Sequence, residues 1–194
     1  MSRQLITRNL QAKEVSHERD NNQDRYLSLV VGEEIFGVSI LRVKEIIEHC
    51  ELTSIPRMPA FICGALNLRG QVVPVIDLSL RLGKERTQID RRTCIVVVEL
   101  ASGTAEEMEI GLMVDAVSQV TTIEPEDILP APSLGESIST DFIHGMGRDG
   151  ENFIILLKID RVLSMSDVAL LGEVQKFDAP ADAAPADDPE HQAL

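Results

Sequence analysis

The residues from which a metal centre or an acid–base pair would be built are few: His17, His49, His144 and His191, with Cys50, Cys63 and Cys94. None falls at HExxH, HxH or Cys/His ligand spacing, so no metal set is spelled out. Three cysteines cannot all pair and lack CxxC-type spacing, which fits a reducing compartment with each thiol acting as a small buried apolar side chain. There is no phosphate loop, no GxGxxG after a strand and no GxSxG. The acidic stretch IEPEDI (123–128) lacks the alternating ligands and bidentate Glu of a calcium loop, and reads as a solvated loop turned by Pro125. His144, beside Gly145, reads as a turn histidine. Turnover needs an acid, a base or a nucleophile brought together. The sequence supplies none, and no cofactor or metal is expected.

The chemistry it does supply is that of a surface. Residues 67–78 read NLRGQVVPVIDL. Arg69 sits in a glycine-bearing turn, where its planar fork could pair with a partner's carboxylate while its stem packs. It could equally close an internal salt bridge to Glu45 or Asp77, and both readings stand. Pro74 donates no backbone hydrogen bond, so it marks its strand as an edge or a bulge, where another protein could be received.

The elements behind this turn are aliphatic. Hydrophobic residues make up 44% of 194, aromatics only 3%, with no Trp and one Tyr. Stacking platforms for bases or sugars are therefore disfavoured. A net charge of −14 opposes nucleic acid and anionic membrane as partners. No run approaches the ~18 apolar residues of a membrane span, and MSRQLITRNLQAKEV has no signal-peptide core. A cytoplasmic protein is expected.

An internal repeat organises the chain. EIFGVSILRVKEII (34–47) and MEIGLMVDAVSQVT (108–121) align Gly37 with Gly111, Ile40 with Val114, Val43 with Val117 and Ile46 with Val120. FICG (61–64) echoes FIHG (142–145), each leads to a hairpin turn (NLRGQ, GRDGE), and VVPVIDLSLRL (72–82) answers FIILLKIDRVL (153–163). Two copies, about 26–84 and 93–164, are the simplest account. Their runs YLSLVV, CIVVVEL and NFIILLKI predict strands. ILRVKEII (40–47) also fits a helical stripe, but its β-branched counterpart SQVTTI favours strand–turn–strand. Helical turns are expected after Pro59 and over 79–83, and a C-terminal helix from an N-cap at Ser166. Residues 1–25 form a polar leader, and FDAPADAAPADDPEHQAL an Ala/Pro/Asp tail too polar to bury a face of its own.

From YLSLVVGEEIFGVSILRVKEII through IPRMPAFICGALNLRGQVVPVIDLSLRLG, GLMVDAVSQV, ILPAPSL, FIHGMG and ILLKIDRVLS, about 140 residues in order, the chain resembles the CheW family of chemotaxis adaptors. The resemblance implies a mainly β fold of two packed five-stranded SH3-like barrels with short helices and a C-terminal helix. The domain would span 26–172, with barrels about 26–88 and 93–164 that could be intertwined, and an acidic tail over 173–194. It implies a protein with no enzymatic activity, monomeric in isolation and recruited to membrane receptor arrays without entering the membrane. There it would couple the cytoplasmic tips of methyl-accepting chemoreceptors to the regulatory domain of the histidine kinase CheA. A CheW-like adaptor of a pilus-type pathway, or the adaptor part of a CheV-like protein, are the alternatives.

Matched position by position, the receptor would meet Val43, Glu45, Gly64, Arg69, Val117 and Val120. The kinase would meet Gln71 and Val73, with a second contact at Leu129 and Leu134 in ILPAPSL. Some relatives carry an arginine and a phenylalanine at those last two positions, both favoured interface types, so the ring contact is expected to be weaker here.

Overall fold

The computed structural model describes Asn22 and residues 24–100, 108–131 and 140–175. The strands are β1 (Arg25–Val31), β2 (Glu34–Ser39), β3 (Val43–Glu48), β4 (Ile62–Leu68), β5 (Gln71–Asp77), β6 (Cys94–Leu100), β7 (Met108–Val114), β8 (Ala116–Thr122), β9 (Ile128–Leu129), β10 (Ile143–Asp149) and β11 (Asn152–Leu157). The helices are α1 (Leu78–Arg81), α2 (Ile159–Val162) and α3 (Met165–Gln175). The fold is mainly β, as expected, in two small barrel-like sheets packed on each other. One has the order β8-β1-β2-β11-β10-β9 and the other β3-β6-β7-β5-β4. The first has a sixth strand because the two-residue β9 pairs with β10.

The repeat is visible in these orders, and so is an exchange. The first sheet takes β1 and β2 from the first copy and β8, β10 and β11 from the second. The second sheet takes β3–β5 from the first copy and β6 and β7 from the second. The exchange closes at two parallel pairings, Leu156 beside Gly37 and Val75 beside Gly111. A Cβ on Gly37 would lie 2.7 Å from Leu156 Cδ2, and one on Gly111 2.7 Å from Ile95 Cγ2. These two glycines are where the paired sequences must lack a side chain. Interior packing leaves no spare room there.

Three apolar layers result. Leu29, Phe36 and Val38 of the first sheet meet Val96, Val98 and Leu112 of the second in a shared core. Leu66, Val73, Val75, Ile95, Val97 and Met113 fill the second sheet's interior, and Tyr26, Ile123, Ile154 and Leu156 the first's. CIVVVEL is apolar without alternation because both its faces are covered: Ile95 and Val97 turn into the barrel, Val96 and Val98 into the shared core. The edge strand β3 alternates instead, half-buried and exposed by turns along VKEIIE.

Segment 40–47 follows the expected strand–turn–strand path: β2 ends at Ser39, Ile40–Arg42 make a single 3-10 turn, and β3 follows. Three other local expectations change. After Pro59 the chain makes one hydrogen-bonded turn, Ile62 N–H to Pro59 O at 2.9 Å, and no helix. The C-terminal helix is capped by Ser164, not Ser166. Ser164 N–H donates to Asp167 Oδ2 at 2.9 Å and Asp167 N–H to Ser164 Oγ at 3.2 Å, a reciprocal capping box. And β5 is an interior strand between β7 and β4, not an edge. Pro74 is tolerated because β5 meets β7 only from Val75 onward, leaving Pro74 paired with Ala65 of β4 alone.

Candidate docking surface

The β4–β5 hairpin turns on Arg69 and Gly70, both at positive φ (53° and 89°). That is the pattern of a type I′ turn, whose twist matches paired strands and which favours Asn or Gly at both positions. Asn67 Oδ1 accepts the Gly70 N–H at 2.8 Å and holds the turn shut. A left-handed non-glycine residue costs about 1 kcal/mol or more, so the arginine is kept at a position that local preference would give to another residue. Its side chain is 79% exposed and donates from Nη2 to Glu45 at 3.1 Å.

Of the two internal partners considered for Arg69, Asp77 is excluded. It is fully buried, caps α1 by accepting the Leu80 N–H at 3.2 Å, and takes the N–H and hydroxyl of Thr87 at 3.1 and 3.0 Å. Glu45 is the partner. Because β3 and β4 are the two ends of their sheet, the ion pair ties one end to the hairpin leaving the other. Such a pair in water contributes roughly 0.2–1 kcal/mol. Much of the guanidinium remains open to a further carboxylate.

The remaining expected site residues divide by depth. Val43 on β3 and Val117 on β8 are half-buried against the shared core, so both flank the seam between the sheets. Val120, on the edge strand β8, is 40% exposed, like its repeat counterpart Ile46 at 45% on β3. Gly64 is buried with φ 148°, and a Cβ there would lie 2.5 Å from Thr53 O. It shapes β4 and offers a partner no side chain. Gln71 is exposed beside the Arg69 turn. Val73 is 1% exposed and faces the barrel interior, so its side chain supports that surface from behind rather than touching a partner. Leu129, on the short edge strand β9, is exposed, and Leu134 lies outside the described residues. The structure thus brings Glu45, Arg69 and Gln71 together where the two ends of the second sheet are tied, with Val43 and Val117 at the seam.

The sequence reading passed over Arg81. Its guanidinium lies 5.2 Å from the Phe61 ring centroid and 5.1 Å from Phe142, and pairs with Asp167 of α3 at 3.5 Å. Phe61 and Phe142 begin the echoed FICG and FIHG. One arginine therefore clasps both copies and the C-terminal helix, with cation–π attraction on both sides. The echo itself was the available signal. Exposed Arg57, at φ 63°, is a second left-handed arginine that the sequence did not announce. Among the described residues no group of three or more His, Cys, Asp or Glu could hold a metal ion, and no helix is long and apolar enough to cross a membrane.

Two small sheets exchanging strands around a common core, with charged and apolar residues along their edges, define the class by its fold, a mainly β two-barrel domain. The CheW-like domain model matches residues 25–167, and the chain belongs to that family of chemotaxis adaptors. It is 34% identical over 151 residues to the chemotaxis protein CheW of Klebsiella aerogenes, covering 78% of this chain and 88% of that one. It is 30% identical over 142 residues to protein FrzA of Myxococcus xanthus, covering 73% and 86%. Among solved structures, scaffolding protein TtCheW from Thermoanaerobacter tengcongensis superposes with a TM-score of 0.65 at 32% identity, covering 73% of this chain and 88% of that one.

Proposed function

We propose that this chain is a non-enzymatic adaptor that couples the cytoplasmic tips of chemoreceptors to the histidine kinase CheA and helps build the array in which receptors control the kinase. Family membership supports the setting. The observation that carries the reading is Arg69, held left-handed at an exposed hairpin tip beside Gln71, with one carboxylate partner and room for another. The receptor would approach the seam at Val43 and Val117, reach Val120, and engage the Glu45–Arg69 pair, with Gly64 allowing β4 its close approach to Thr53. The kinase regulatory domain would approach Gln71, backed by Val73, and in a second contact the β9 edge at Leu129 and the following Leu134. The adaptor's work is geometric: it holds two partners at a fixed separation, and interfaces of modest strength let the assembly move between kinase-on and kinase-off packings.

The test is reconstitution of kinase autophosphorylation with receptor fragments, with and without this protein. Receptor control that appears only when the protein is present is the expected result. Unchanged kinase activity, or absence of binding to both partners, would overturn the reading. Val43→Asp and Val120→Asp should lower receptor coupling and spare binding to the kinase domain. Loss of both with native circular dichroism would mean the receptor surface lies elsewhere.

A further inference from the structure

The 84–93 loop, which links α1 to β6, carries charge of the opposite sign to the rest of the molecule. It reads KERTQIDRRT: Lys84, Arg86, Arg91 and Arg92 against Glu85 and Asp90, a local +2 in a chain of −14. The loop is pinned from inside, because buried Thr87 is bound to Asp77 and buried Thr93 donates an N–H to Asp90 O at 3.1 Å. Lys84 is tied back to Glu34 at 2.7 Å beside the Phe36 ring, while the three arginines are exposed. Arg86 gives one hydrogen bond, to Ala60 O at 3.0 Å, and Arg92 is 72% exposed beside Asp90. Arg91 is exposed and has no side-chain partner among the described residues. Between these arginines stands Ile89, 61% exposed, the most exposed large apolar side chain described. A basic rim around an apolar contact on a rigid loop is a receptor for an acidic, partly apolar segment.

We propose that this loop is the docking surface for the chain's own acidic C-terminal segment, residues 178–190, held in cis. That segment carries Asp178, Asp182, Asp187, Asp188 and Glu190 with no Lys or Arg, interleaved with Ala and Pro. Charge complementarity selects the loop, since the remaining surface is net acidic and repels the segment. Reach permits it. Helix α3 begins beside Arg81, three residues before Lys84, and ends with Gln175 Nε2 donating to Glu109 O at 2.7 Å. Its eleven residues cover ~16 Å. Asp187 lies twelve residues beyond Gln175, and twelve residues extend to ~40 Å, more than twice the return distance. A flexible tether of twelve residues has an r.m.s. length of roughly 17–21 Å, close to the ~16 Å span, which keeps the effective concentration high, so individually weak ion pairs suffice. The inference does not depend on the adaptor reading.

The experiment compares backbone amide shifts of the full chain with those of a full-length variant in which Asp182, Asp187 and Asp188 become Asn and Glu190 becomes Gln. At ~0.01 M ionic strength, where charges act over ~30 Å, the largest differences are expected at residues 86–93. At ~1 M, where the range is ~3 Å, they should collapse. Arg91→Glu with Arg92→Glu, both exposed substitutions, should abolish the effect of neutralising the tail, as a double-mutant cycle requires when two groups touch. Unchanged loop amides, differences centred on another surface, or differences that grow with protein concentration would each overturn the proposal, the last by placing the contact between copies.

Discussion

The two copies of the repeat close their barrels in the same way with different chemistry. In the first, Arg69 at the β4–β5 tip reaches Glu45 on edge strand β3. In the second, the β10–β11 hairpin sends Asp149 to Gln119 on edge strand β8, with Gln119 Nε2 donating at 3.4 Å. The edge residues correspond, since Val43 aligns with Val117 and so Glu45 with Gln119. The tips do not. Gly150 occupies the left-handed position, φ 62°, where the first copy has Arg69. Closing the barrel therefore needs a polar tie from tip to edge but not an arginine, and the second copy has the residue expected from turn geometry alone. The cation in the first copy is thus more than turn geometry asks for, and the proposed partner role rests on that difference.

Substitutions at matched positions test that division. The largest effects fall on the glycines of the β4 and β10 bulges. Gly64→Ala strains a backbone at φ 148° and drives a Cβ into Thr53 O. Gly145→Ala meets Leu129 O and Ile128 Cγ2 at 2.7 Å, but no positive φ is required there. The first should cost about 2–5 kcal/mol and the second about 1–3 kcal/mol, read from urea midpoints. Equal costs would mean that strain at Gly64 is negligible. Next comes Arg81→Met, which removes the ion pair to Asp167 while keeping an apolar stem between Phe61 and Phe142. A loss of about 1–3 kcal/mol with earlier proteolysis of α3 is expected. Retained α3 protection would show that the helix is held by Leu171 and Val174, both buried, and not by the clasp.

Charge reversal at the tips separates folding from binding. Arg69→Glu should change stability by less than about 1 kcal/mol, because the Glu45 pair is solvent-screened. It should weaken receptor or kinase binding about tenfold or more, equivalent to roughly 1.4 kcal/mol. Asp149→Lys at the second tip should do neither. If Arg69→Glu unfolds the protein, the arginine is structural after all.

The duplication was readable because glycines at 37 and 111 stand in matching apolar frames, and a parallel crossing tolerates nothing larger there. The exchange of strands between copies was not readable in the residues. Alternation tells which face of a strand is covered but not which copy covers it, and both partners here are equally aliphatic. Pro74 misled for a related reason. A proline excludes pairing on its N–H side, which an edge provides, but so does an interior strand whose second partner starts one residue later. The helix cap was missed although the signal existed: Ser164 stands three residues before Asp167, the spacing of a capping box, whereas Ser166 merely stands nearer the helical run. Of the candidate site, the exposed hairpin residues Arg69 and Gln71 were legible as surface. The inward turn of Val73 was not, since VVPV gives no period to follow.

The smallest effect concerns Cys63, whose counterpart in the second copy is His144. The same place on two hairpins carries a half-buried thiol in one and an exposed imidazole in the other. Burial, with the nearby Asp77 carboxylate, pushes the Cys63 thiol up from 9.0 to about 11. The folded state thus holds this proton where the unfolded chain releases it, so stability should fall as pH rises from about 9 towards 11, and not below that window. Thiolate is the nucleophile, and a rise of that size cuts its population near pH 8 by roughly a hundredfold. Timed alkylation of the native protein near pH 8, read by mass spectrometry, should modify exposed Cys50 first and leave Cys63 largely intact. Cys63→His, which copies the second half into the first, would force a bulkier ring into a half-buried place beside β5. It should destabilise by about 1–3 kcal/mol, read from urea midpoints, whereas His144→Cys at the exposed position changes little. Equal small costs for the two swaps would show that the two bulges offer the same room and differ only in the residues they carry.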